Sequence, residues 1–101
     1  MFHEKNFYMY MMTNMNHTVI YVGFSGQLKE RVNQHINKYS KGFANKYNLT
    51  KLVYYEKFEF PNEAIKREKQ VKKWNREWKI NLINDFNPNW DDLFKFFQKE
   101  S

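Results

Sequence analysis

The chain has 101 residues, the size of one domain, with 17 Lys and Arg against 11 Asp and Glu and a formal net charge of +6. It contains no cysteine, which excludes disulfides, thiolate zinc sites and a cysteine nucleophile and fits a reducing compartment. Aromatic residues (10 Phe, 7 Tyr, 3 Trp) make up 20% of the chain, which argues against disorder.

The first apolar run covers residues 7–12, and a polar, turn-like stretch from Thr13 to His17 follows it. A second run over residues 18–24 is rich in β-branched and aromatic side chains, so the two read as an antiparallel hairpin. Ser25-Gly26-Gln27 breaks the strand, with Ser25 or Gly26 as the expected cap. Leu28, Val32, Ile36 and Tyr39 then recur at helical spacing, which predicts an amphipathic helix over 27–39. Residues 40–50 are polar and basic, a loop with Gly42 in it. Residues 52–58 read as a third strand. Pro61-Asn62-Glu63 opens a helix over 62–73, with Ile65 and Val71 facing inward. Trp74, Trp78 and Leu82 share one face of a helix over about 75–85. Asn87-Pro88-Asn89 ends it, and residues 90–97 suit a short last helix. The expected fold class is α/β (α+β): a small antiparallel sheet with helices against it, in the order β-β-α-β-α-α. With only three Gly and two Pro and no linker, one domain over 7–93 is expected, and 94–101 form a helix end or tail. No apolar run approaches the ~20 residues of a membrane span. The opening residues lack the order of a signal peptide, so no membrane association and a cytoplasmic location are expected.

The chemistry is partly defined by what is missing. His3, His17 and His35 are scattered, and neither an HExxH nor a phosphate-cradling glycine loop is present. Asp91-Asp92 reads as a solvated helix start rather than a metal site. Three polar features stand out. Glu68 falls on the Ile65–Val71 stripe, where an unpaired buried carboxylate is costly. It therefore needs a partner (Lys72 or Arg31), an edge position, a metal or a cleft. Arg31 and His35 lie one turn apart beside the apolar stripe of the first helix, where an ordinary surface arginine is the plain alternative. Tyr8 and Tyr10 share one strand face, and Tyr21 shares another with Val19 and Gly23, leaving open space beside Tyr21. Plain strand packing would also account for these tyrosines. Together, however, two phenols, an arginine, a histidine and an inward carboxylate form a kit for phosphodiester hydrolysis.

Those residues resemble the GIY-YIG endonuclease family, in particular its small stand-alone members. The first signature stands as Tyr8-Met9-Tyr10 and the second as Tyr21-Val22-Gly23, with the key tyrosines 11 positions apart and Arg31 ten after Tyr21. Lys46-Tyr47-Asn48-Leu49, then Glu68 ahead of Lys72-Lys73-Trp74, then Asn87-Pro88-Asn89-Trp90 complete the match over roughly residues 7–93. Tyr8 replaces the first glycine, Met9 its isoleucine and Val22 the second isoleucine; none of these is a reacting group.

The resemblance implies a three-stranded antiparallel sheet flanked by helices and a metal-dependent DNA endonuclease. It implies that Tyr21 activates water with Tyr10 in support, that Arg31 holds the phosphate, and that Glu68 binds one divalent ion, Mg²⁺ or Mn²⁺. His35 would be auxiliary, and Asn87 matches an asparagine near the domain end. The partner would be DNA, single-stranded or branched forms included, with RNA still open; no protein partner can be named. Residues 41–79 carry 11 Lys and Arg against 5 Glu. Lys46, Lys69, Lys72 and Lys73 are the candidates to meet the phosphate backbone, by a salt-dependent attraction. A nucleic-acid-binding module without turnover is the competing expectation.

Overall fold

A computed structural model describes residues 6–37 and 48–98. Three strands, β1 (Phe7–Thr13), β2 (Ile20–Ser25) and β3 (Lys51–Phe58), and three helices, α1 (Leu28–Asn37), α2 (Pro61–Lys72) and α3 (Arg76–Phe86), follow the expected order, and the short last helix, α4 (Phe94–Gln98), comes after them. The sheet order is β2-β1-β3, antiparallel throughout, with the first strand in the centre.

The hairpin loop closes on one side chain. Asn14 Oδ1 accepts from the backbone N–H groups of Thr18 and Val19 at 2.9 and 3.1 Å, a local bonding pattern to which asparagine is suited. Where β2 ends, Ser25 Oγ accepts from Gln27 N–H at 2.9 Å, ahead of the first turn of α1.

Alternation along β1 sorts the core into two layers. Tyr10 and Met12 join Leu28 and Val32 of α1 and Leu93 and Phe94 near the C-terminus. Met9 and Met11 point the other way and pack with Val71 of α2, Ile83 of α3 and Trp90. The register slips between Met11, opposite Tyr54, and Met12, opposite Leu52, so Val53 is an extra residue in β3. The C-terminal segment meets that bulge: Leu93 N–H donates to Leu52 O at 2.7 Å and Leu52 N–H to Asp92 Oδ1 at 3.2 Å. Asp92 Oδ1 also accepts from Phe94 N–H at 3.1 Å, the helix-start role expected of this acidic pair.

Three sequence-based details need correction. On α2 the fully buried positions are Ala64 and Val71, while Ile65 is half-buried. The inward stripe therefore runs 64–68–71, one residue out of phase from 65–68–71, and Glu68 lies on both. On α3 the buried residue is Ile83, with Ile80 partly buried beside it, and Trp78 on the opposite side of the helix is exposed. The last helix starts at Phe94 rather than near Trp90, because Trp90 has φ of +53°, outside the helical range.

Candidate active site

Tyr10 lies at the centre of the group. Register places it opposite Gly23 on edge strand β2, and its ring lies across that residue. A Cβ at Gly23 would sit 2.6 Å from both Cζ and Oη of Tyr10, so the position requires glycine for close approach. The space expected beside Tyr21 is thus filled by the Tyr10 ring. Tyr10 is 1% exposed, and its ring centroid is 6.1 Å from that of Tyr21 at a tilt of 52°.

Burial is the first cause that pushes the Tyr10 phenol well above the usual tyrosine range. The neighbouring Tyr21 pushes it further, Arg31 pulls it down, and the hydrogen bond to Tyr21 and the charge of Glu68 both raise it. Four side chains from β1, β2, α1 and α2 therefore share one electrostatic neighbourhood. Because β2 is the sheet edge, the phenol ends at the margin of its layer, and a carboxylate from the helix on the other layer can act on it.

Arg31 is exposed on α1. Glu68 is only 12% exposed in its side chain and pairs with Lys72 at 2.6 Å, one turn on; the Lys72 side chain is 54% exposed. This ion pair is the ordinary partner expected for an inward acid. His35 belongs to α1, but its side chain, like Lys46, lies outside the described residues. Lys69 and Lys73 are exposed, and Lys73 is the C-cap of α2. Asn87 is not brought into the group through any described hydrogen bond. It is 5% exposed and ends α3, donating to Val53 O at 3.1 Å and Asp91 O at 2.9 Å and accepting from Asp91 N–H at 3.1 Å. Its amide clamps the 87–91 turn to the bulge.

Sequence reasoning missed a second cluster. The Tyr54 hydroxyl donates to Glu56 Oε2, and Arg67 grips the same carboxylate through Nε (3.1 and 3.2 Å) and Nη2 (3.1 Å). Strand alternation puts Tyr54 and Glu56 on one face, a signal that could have found half of it.

Among the described residues no cluster of three or more His, Cys, Asp or Glu could cage a metal. The candidate donor is one carboxylate at the edge of solvent. That set fits magnesium, which keeps most of its waters and takes one or two carboxylates beside substrate phosphate.

With this geometry, the match to known proteins defines the class. Residues 6–81 match the model of the GIY-YIG catalytic domain, and the chain belongs to that family, a nuclease-type family whose substrate is nucleic acid. Its curated relatives include small UPF0213 proteins. One, from Staphylococcus saprophyticus, is 30% identical over 66 residues, 65% of this chain and 80% of that protein. Another, from Clostridium perfringens, is 35% identical over 65 residues, 64% of this chain and 70% of that protein. The solution NMR structure of the UPF0213 protein BH0048 from Bacillus halodurans shares the fold with a TM-score of 0.56 at 21% identity, covering 86% of this chain and 92% of that one. Among the described residues no helix is long and apolar enough to cross a membrane.

Proposed function

We propose that this chain is a divalent-metal-dependent DNA endonuclease of the cytoplasm. The observation that supports the reading is Tyr10, buried with its ring across Gly23 and beside Tyr21, its phenol under the influence of the Arg31 and Glu68 charges. Burial keeps the proton on Tyr10, whose ring lies beside that of Tyr21. Tyr21 acts as base in its phenolate form: it takes a proton from the attacking water and becomes a neutral phenol. The water oxygen bonds to phosphorus, and the bond to the leaving oxygen breaks. Arg31, exposed and always charged, faces the non-bridging oxygens with a guanidinium suited to a two-point grip. Glu68 would hold the Mg²⁺ or Mn²⁺, exchanging its bond to Lys72; when bound, the ion supplies Lewis acidity to the phosphate. The Lys72 side chain, half in solvent, is then free to turn towards a phosphate, alongside Lys69 and Lys73.

The test is cleavage of supercoiled plasmid and of single-stranded and branched oligonucleotides with Mg²⁺ or Mn²⁺. Glu68→Ala should reduce cleavage by about 10²–10³, the loss typical when a charge-stabilising group is removed. A variant that cleaves as fast as the parent would overturn the assignment.

The Glu68–Lys72 pair is the observation that favours a second reading, a DNA-binding module without turnover, because the pair already neutralises the acid. Binding that survives chelation, with no cleavage of any of these substrates, would establish it instead.

A further inference from the structure

The corner between α2 and α3 carries a feature that hydrolysis does not use. Trp74, in the short link, and Trp78, near the start of α3, meet edge to face with centroids 5.8 Å apart and planes at 81°. Trp78 is 55% exposed. With Asn81, Leu82 and Asp85 the two indoles line an open groove of about 240 Å³. On the other side of the link, the Arg67 guanidinium lies over Trp74, 5.1 Å from its centroid, and shares an adjoining hollow with Lys66. The stretch 66–79 carries seven Lys and Arg against two Glu.

This arrangement separates two chemistries. Inside the groove are π-faces, an apolar leucine, and the acceptors of Asn81 and Asp85. Cations lie outside it. A phosphate would be repelled by Asp85 and drawn to the rim. A nucleobase is flat, uncharged and rich in N–H donors, so it suits the interior. A paired base inside a duplex is covered on both faces and cannot enter.

We propose that the Trp74–Trp78 groove holds one unpaired base of a bound DNA strand, stacked on Trp78, while the adjoining phosphates lie along the Lys66 side. The proposal rests on the nucleic-acid reading above and deepens it: the domain would select strands with an exposed nucleotide without help from another domain. Base–aromatic stacking tolerates any sequence, so the selection is for unpaired structure.

With EDTA present to prevent cleavage, the full chain is titrated with a mixed-sequence single strand and with the same sequence as a blunt duplex, followed by tryptophan emission and by anisotropy of a labelled strand. The single strand should quench the emission. Trp78→Ala should weaken single-strand binding about tenfold and leave duplex binding unchanged, and Trp78→Phe, which keeps an aromatic face, should restore most of the loss. Trp78 is exposed, so near-UV circular dichroism should show both variants folded. Parental single-strand affinity in a folded Trp78→Ala would overturn the groove proposal alone. An emission change that follows protein concentration and not oligonucleotide would assign the groove to self-association and also overturn it. Failure of the parent to bind either strand would overturn both this inference and the function it rests on.

Discussion

Tyr10 on β1 and Tyr54 on β3 are both buried, both hold their proton chiefly because of burial, and both have an acid and an arginine for neighbours. In the Tyr54 set the acid and the arginine bond to each other. Glu56 accepts from the Tyr54 hydroxyl and from two Arg67 nitrogens, Arg67 Nη1 donates to Gln70 at 2.8 Å, and the guanidinium lies over Trp74. Charge and hydrogen-bond capacity are used up within the protein, and β3 is tied to α2. In the Tyr10 set, Arg31 and Glu68 are not paired with each other among the described residues. One is exposed, and the other is bonded to a lysine that is half in solvent. The same residue types thus form a closed brace on one layer and, at the margin of the other, a set whose arginine and acid are not joined to each other. Pairing, more than composition, separates a structural cluster from a reactive one.

That contrast predicts that activity and stability separate. The largest effect should come from Arg31→Ala: cleavage falls by about 10²–10³, while a surface substitution of this kind moves stability by no more than about 0.5 kcal/mol. Glu56→Ala should do the reverse, costing about 2–3 kcal/mol through the loss of charged hydrogen bonds, read as a lower urea midpoint, with the rate per folded molecule intact. If both variants lose activity alike, the contrast fails.

Gly23→Ala would sharpen it. The new methyl meets the Tyr10 ring, so overpacking of about 1–3 kcal/mol is expected, and because the displaced ring carries the phenol, cleavage should fall as well. A melt paired with a cleavage assay reads both. The smallest effect is shared by the two sets. Each phenol is raised in the fold, whereas an unfolded tyrosine ionises near pH ~10. Above that pH the unfolded chain releases protons that the native state retains, so stability falls as pH rises past about 10. Tyr54→Phe and Tyr10→Phe should each flatten the decline, as measured by urea midpoints on either side of that pH.

Much of this was legible in the chain. The three strands announce themselves by β-branched and aromatic runs between polar turns, and both layers follow from the alternation of Met9, Tyr10, Met11 and Met12. Glu68 was recognisable as inward on either phase of its helix. That phase itself was not legible: Ala64 and Ile65 differ by about 100° around an α-helix, and the larger side chain drew the reading to itself. Trp78 misled for the same reason, since its bulk suggests a core and its helix buries Ile83 instead. The brace of Tyr54, Glu56 and Arg67 needed tertiary structure, because a strand and a helix must meet before Arg67 reaches Glu56. The Tyr10 ring over Gly23 likewise depends on strand register.

The bonds that Asp92 and Leu93 make to Leu52 have a practical side. They fasten the Asp92–Leu93 segment to the flank of the sheet, beside the residue where β3 bulges. A force applied to this segment would therefore load the sheet directly, and removing residues 92 and 93 would strip the N–H and C=O of Leu52 of these partners.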